Sequence, residues 1–258
     1  MQETKRASSI EHTSIGRVVV PAPLPEGFAL FYTTADDEGR TDAPGLTAFL
    51  RERFGIEAAV AQCTQVHSAR VQRAPATSEC DALFTDRRGV ALAIKVADCL
   101  PVTLCDPAHR VIANIHSGWR GAAQRITAET LDALARDTAF EPAAAYAYLG
   151  PSIRVCCFEV GEEVAAQFDA RFIDRARGPK PHIDLVALTG ALLRARGVVN
   201  VIDTGLCTRC DGGVAELRGC EVAQAPTPQP RNYATSQLRF HSYRRDKRTG
   251  RNLAVAAQ

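Results

Sequence analysis

His67, Cys99 and His116 are the residues of this chain whose types and positions could do chemistry together. Each closes a strand-like apolar run (AAVAQCTQV, ALAIKVAD and VIANI) and each stands just before a Ser, Gly or Pro breaker. Strand ends on one side of a sheet are where α/β folds gather their sites, so the three side chains could converge. Two imidazoles and one thiolate are three zinc ligands, and three protein ligands leave a fourth position for water or substrate. Zn²⁺ held this way would polarise an oxygen or generate hydroxide near neutral pH. The same residues also read as a cysteine nucleophile with a histidine base, or as three buried, hydrogen-bonded polar side chains. The gaps of 31 and 16 intervening residues match no compact zinc motif, so spacing leaves all three readings open. Asp98, immediately before Cys99, could orient a ligand histidine or transfer a proton, or could be a turn aspartate ahead of Pro101.

Other residues offer anion or metal chemistry. Ser117 and Gly118 precede a helix, where free backbone N–H groups and Arg120 could hold a phosphate; the alternative is an ordinary helix start. Arg244, Arg245 and Arg251 form a basic cluster around Gly250, a composition that usually marks a solvated face. Cys156 and Cys157, with Cys207 and Cys210 of CTRC, suggest a four-cysteine zinc site. Adjacent residues on a strand point apart, so buried thiols are the preferred reading.

The elements that must position these residues are short. The chain has 258 residues, 46% hydrophobic and 23% charged, with a formal net charge of +2. That is an ordinary globular composition, with no demand for nucleic acid or an acidic membrane. No apolar run approaches the ~20 residues of a membrane span, and the polar start MQETKRASSIEHTSIG lacks a signal-peptide core. A cytoplasmic protein, monomeric or weakly dimeric, is expected. Nine cysteines then imply buried thiols, ligands or a nucleophile rather than a disulfide framework. Residues 1–25 read as a loose arm ending in PAPLPEG, with residues 26–258 as one domain. Within it, 45–55 reads as a helix closed by a C-cap glycine, and Trp119–Asp137 as a helix with one apolar face. VGEEVAAQFDARF and IDLVALTGALLRARG read as further helices, the second capped by Asp184. GVALAIKVAD, LPVTLCD, RVIANIH, AAAYAYLG and VVNVIDTGL read as strands, and the tail from Ser242 as a basic loop before a short strand. Gln224–Pro230 is the only linker-like stretch. Strict β-α alternation is lacking, which argues for a mixed α/β (α+β) domain rather than a doubly wound sheet.

Several motifs then occur together in one order: QVHSARV, DALFTD, ADCLPVTLCDP, IANIHSGWRGAA, LGPSIRVCCFEVGEEV, CTRC and FHSYRRDKRTGR. From Gln65 to Arg251 the chain resembles the multicopper polyphenol oxidoreductase (laccase-like) family, whose members are also called purine nucleoside phosphorylases or peptidoglycan editing factors. The pairing of ADCLPV with HSGWRG is specific. The resemblance implies an α-β-β-α sandwich with mixed sheets and a pocket where His67, Cys99 and His116 bind zinc. It implies phosphorolysis of adenosine, inosine, guanosine and methylthioadenosine, with adenosine deamination at the same pocket. Purine nucleoside and phosphate are then the partners, and the SYRRD and TGR segments lie near the pocket. Asp98, Cys99, His67 and His116 become the catalytic candidates, and Ser117, Arg120, Arg244, Arg245 and Arg251 the substrate-binding ones. Copper is disfavoured as the cofactor. Multicopper oxidases need many histidines, and this chain has six, of which His12, His109, His182 and His241 show no cluster pattern.

The chain also departs from the family. Ala35 stands where the family carries an arginine at the pocket, after the retained Thr33 and Thr34, and Arg40 is a possible substitute. Ser68 replaces a glycine, and His241 an aromatic residue. Three other readings stay beside the phosphorylase: a hydrolase or amidase with Cys99 as nucleophile editing cell-wall precursors, a copper polyphenol oxidase, and a non-catalytic binding protein.

Overall fold

The computed structural model describes residues 8–36, 40–76, 78–210, 238–247 and 250–258. The linker-like stretch Gln224–Pro230 lies outside them. Two six-stranded mixed sheets face each other. The first runs β1(Ser8–Thr13), β2(Gly16–Pro21), β3(Ala29–Thr33), β14(Asn252–Ala257), β7(Val90–Val96), β4(Ala59–Ala61). The second runs β13(Asn200–Asp203), β10(Tyr146–Leu149), β8(Leu100–Asp106), β9(Val111–Ser117), β6(Ala82–Thr85), β5(Val71–Arg73). Within these two sheets the pairs β4–β7, β5–β6 and β10–β13 are parallel, and the others are antiparallel; β11(Ile173–Asp174) and β12(His182–Ile183) form a separate antiparallel pair.

Alternation along the strands divides the core into layers. On β9, Ile112 packs between the sheets, while Val111, Ala113 and Ile115 pack against the outer helices. On β14, Ala254 and Ala256 face the middle layer, and Leu253, Val255 and Ala257 face the opposite side. Such strands are buried on both faces and read as unbroken apolar runs. Helix α1(Ala43–Phe54) covers the first sheet with Leu46, Phe49 and Leu50. Helices α3(Ile126–Asp137) and α5(Leu185–Ala195) cover the second with Ile126, Leu131, Leu134 and Leu193. The result is the α-β-β-α sandwich, with Asn114 as a polar tie through its middle. Its amide donates to Leu92 O (3.0 Å) and Ala254 O (2.8 Å) of the first sheet, and its oxygen accepts from Thr103 (3.2 Å).

Local chemistry explains most boundaries. Asp42 accepts from Gly45 N and opens α1, and Gly55 at φ +67° closes it. Asp184 accepts from Ala187 N and caps α5, as the sequence indicates.

Five expectations change. Within the stretch read as a loose arm, residues 8–21 form the β1–β2 hairpin at the edge of the first sheet. The run AAVAQCTQVH keeps only β4 as strand. Beyond it, the Gln65 side chain bonds both backbone groups of Lys95 and substitutes for ladder pairing. The helix expected over Trp119–Asp137 breaks at Arg125, at φ +65°, into α2(Trp119–Ala123) and α3. VGEEVAAQFDARF shortens to α4(Glu162–Ala165) and a 3₁₀ turn at Ala170–Phe172, while part of the basic tail coils into α6(Tyr243–Asp246). No described helix is long and apolar enough to cross a membrane.

Candidate metal centre

The ends of β7, β9 and the loop after β4 meet at one point. Donor atoms of His67, Cys99 and His116 lie within 4.8 Å of one another. Cys99 Sγ is 3.9 Å from His67 Nε2, and the two imidazole rings meet edge to face at 4.7 Å. His116 is buried, Cys99 half-buried and His67 exposed, so the group opens to solvent on the His67 side.

Asp81, at the start of β6, organises the group. Its Oδ1 accepts from His116 Nδ1 (2.8 Å) and from the His67 backbone N (2.9 Å). Its Oδ2 accepts from Ser68 N (2.7 Å) and Ser68 Oγ (2.8 Å). The loop residue His67 sits at φ +61°, a left-handed conformation that these amide bonds hold in place. A histidine whose Nδ1 serves a buried carboxylate presents Nε2 to a metal. Nothing local in DALFTD marks its opening Asp81 as part of a site. Ser68, a departure from the family pattern, supplies two of its four close donors.

Burial pushes Asp81 up, but bonds from His116 and Ser68 prevail and hold its carboxyl well below the usual range. Burial also pushes the Cys99 thiol up, yet His116 and His67 bring it down to about 7. For His116 burial pulls down, while Asp81 and then Cys99 raise it to about 9. Gly118 makes the approach possible: a Cβ there would lie 2.8 Å from Cys99 Sγ and 3.3 Å from His67 Cδ2. Only glycine fits between them.

The other expected site residues are not part of the three-donor cluster. Asp98, at φ +82°, has both oxygens engaged: Oδ1 accepts from Thr208 Oγ1 (2.7 Å) and Oδ2 from Arg244 N (2.6 Å). Arg244 Nη1 donates to Glu159 O at 2.7 Å. The Arg245 guanidinium is spent on Asp246, Phe240 O and Thr208 O. Arg120 is exposed, with its guanidinium 4.4 Å from the Trp119 ring centroid, and Arg251 is exposed beside Gly250 O. Ser117 points to the opposite face of β9 from His116. There it lines a cleft of about 470 Å³ under α3 and α5 that includes none of the three donor residues. Ala35 donates its amide to Arg239 O, and Arg40 reaches the Ser14 carbonyl. The four cysteines read as separate buried thiols come together instead: Cys156, Cys157, Cys207 and Cys210 place their sulfurs within 4.8 Å of one another.

The chain is similar to known proteins. A purine nucleoside phosphorylase from Deinococcus radiodurans is 33% identical over 235 residues, covering 87% of this chain and 82% of that protein. The adenosine deaminase RL5, from an unknown prokaryotic organism, is 36% identical over 140 residues, 51% of this chain and 53% of that protein. The crystal structure of the Neisseria meningitidis protein NMB0706 superposes with a TM-score of 0.68 at 27% identity, covering 92% of this chain and 97% of that one. Residues 26–213 match the family described as multi-copper polyphenol oxidoreductase laccase, and the chain belongs to it.

Proposed function

We propose that the protein is a zinc-dependent purine nucleoside phosphorylase, acting on adenosine, inosine, guanosine and methylthioadenosine, with adenosine deamination at the same centre. The observation that carries this reading is the convergence of His67, Cys99 and His116, with Asp81 behind His116. Relatives named purine nucleoside phosphorylase and adenosine deaminase supply the reaction class. Two imidazoles and a thiolate are borderline-soft donors suited to zinc, and three of them leave a position for substrate. Several copper centres would need more imidazoles, and among the described residues histidine enters a single cluster. Zinc bound there would supply Lewis acidity toward an oxygen of substrate or water.

The side chains do the rest. Asp81 fixes the His116 tautomer, and the Cys99 thiol, near 7, gives up its proton around neutrality. Phosphorolysis exchanges the glycosidic C–N bond for a C–O bond to phosphate, so an anion must be held beside the ribose and the leaving purine must gain a proton. Arg120 and Arg251, both exposed, are the cations we assign to the phosphate; Arg244 and Arg245 brace the loop they stand on. Asp98 is the proton-transfer candidate, and its bonds to Thr208 and Arg244 also make it a positioning residue.

Adenosine or inosine incubated with and without inorganic phosphate tests the proposal. Free base and ribose 1-phosphate are expected only with phosphate, and ammonia from adenosine in either case. Equal base release in both would mean hydrolysis. Asp98→Asn should cut kcat far more than it raises KM if Asp98 moves the proton. A thiol near 7 between two imidazoles also favours a second reading, a cysteine-dependent amidase acting on cell-wall precursors. Fast alkylation of Cys99 in metal-replete protein would support it over the zinc reading.

A further inference from the structure

The second sheet carries another cluster, which the proposed reaction does not use. Strands β10 and β13 are parallel neighbours, so the turns that follow them leave the sheet at the same end. The first turn holds Cys156 and Cys157, and the second holds Cys207 and Cys210. Backbone bonds knit the two together: Ser152 N donates to Leu206 O at 3.3 Å, and Thr208 N to Ser152 O at 3.1 Å. Cys156 and Cys157 do not lie on a strand. Cys157 N and Phe158 N both donate to Arg154 O in a tight turn, so the adjacent side chains need not diverge.

The sulfur spacings match a closed metal site. Cys156 Sγ lies 3.8 Å from Cys207 Sγ and 3.9 Å from Cys210 Sγ, and Cys157 Sγ lies 3.2 Å from Cys210 Sγ. A tetrahedron with Zn–S bonds of about 2.3 Å has S···S edges of about 3.8 Å. All four sulfurs converge mutually, which two separate thiol pairs would not require. Their surroundings are apolar, with Ile153, Phe158, Val160, Ile183 and Leu185 packed around them. This satellite core is built on few regular residues, the setting in which proteins use a metal staple. Four ligands would close the coordination sphere, the structural pattern, in contrast to the open three-donor centre nearby.

We propose that Cys156, Cys157, Cys207 and Cys210 bind one zinc ion as a tetrathiolate staple, which fixes Thr208 against Asp98 beside Cys99. Thr208 lies between the two cysteines of the second turn, and its hydroxyl donates to Asp98 Oδ1 at 2.7 Å. Locking that turn therefore stiffens the residue next to the catalytic thiol, without contact with substrate.

The test removes the first centre and asks whether metal remains. Protein purified anaerobically under reducing conditions with zinc should carry about two zinc ions per chain. The variant His67→Ala/Cys99→Ser/His116→Ala should keep one, and adding Cys207→Ser/Cys210→Ser should remove it. Cobalt exchanged into the first variant should give the thiolate charge-transfer and intense visible bands of a tetrahedral all-sulfur site. Should either variant fail to fold, cobalt titration of the wild type decides, because a tetrathiolate and a one-thiolate site differ in charge-transfer intensity. A triple variant that is metal-free, with all four thiols open to alkylation in excess zinc, overturns the proposal. So does recovery of the four cysteines as two disulfides from protein never exposed to oxidant.

Discussion

At the scale of single residues, the centre depends on a fully buried carboxylate. Asp81 holds His116 through its ring and His67 and Ser68 through their backbones. Asp81→Asn keeps the shape but loses the charge, and removal of such a supporting partner typically costs about 10–100-fold in metal affinity. Chelator competition measures this, and unchanged zinc affinity would reduce Asp81 to a loop organiser. The proton balance gives a second expectation. His116 is raised to about 9 and Cys99 lowered to about 7, and both must lose their protons to bind metal. Zinc affinity should therefore climb as pH rises through 7 to 9 and flatten above. In metal-free protein, alkylation of Cys99 should be half-maximal near pH 7, and His116→Ala should move that midpoint upward toward an ordinary thiol. A midpoint that stays put in His116→Ala would mean the imidazole does not set the thiolate. The apolar runs that His67, Cys99 and His116 close make the three candidates, and the resemblance carried by ADCLPV and HSGWRG is what groups them as metal ligands. Asp81 is not legible in the sequence, since nothing local distinguishes a buried aspartate from one in a turn.

At the scale of elements, position depends on tertiary ties that local sequence does not announce. Strands β7, β8 and β9 and helices α1 and α5 follow from apolar runs and caps, and they appear where those signals stand. The break at Arg125 does not, because arginine has no preference for φ +65° and only packing of α2 and α3 imposes it. The convergence of the cysteine pairs is hidden for a related reason: strand geometry would part Cys156 from Cys157, but the two lie in a turn, and about 50 residues separate them from the second pair. Asn114 shows the same limit, reading as one polar residue within an apolar strand while tying both sheets together. Asn114→Ala leaves two carbonyls and the Thr103 hydroxyl without this partner, a loss of about 1–3 kcal/mol. For a chain of this size that lowers Tm by about 2–4 °C per kcal/mol, read by thermal unfolding. No shift would mean that apolar packing alone holds the sheets.

At the scale of the whole molecule, the centre is fastened to a strand remote in sequence from its donors. Strand β14 inserts between β3 and β7, and Leu253 N donates to the Thr33 hydroxyl. Beside it, Asn252 is 3% exposed; its oxygen accepts from His241 N and its amide donates to His241 O, both at 2.9 Å. That clasp sets the segment in which Ser242 caps α6 and Arg244 N reaches Asp98, the neighbour of Cys99. Hydrogen bonds and the short segment between them thus link the first sheet to Asp98, the residue before Cys99, while His67, His116 and Asp81 are held from other elements. The two routes can be separated. Asn252→Ala deletes both bonds of the clasp and costs about 1–3 kcal/mol, yet it leaves the Asp81 arrangement untouched. Metal content should stay at the wild-type level while turnover falls several-fold, because Asp98 and Arg251, the neighbour of Asn252, lose their register against substrate. Restoring an amide on a longer stem, as in Asn252→Gln, should recover little, since the two bonds to His241 need both distance and direction. Loss of metal together with turnover would mean that the clasp supports the donors themselves. Unchanged turnover in a destabilised protein would mean that the segment from His241 to Asp246 serves the fold alone.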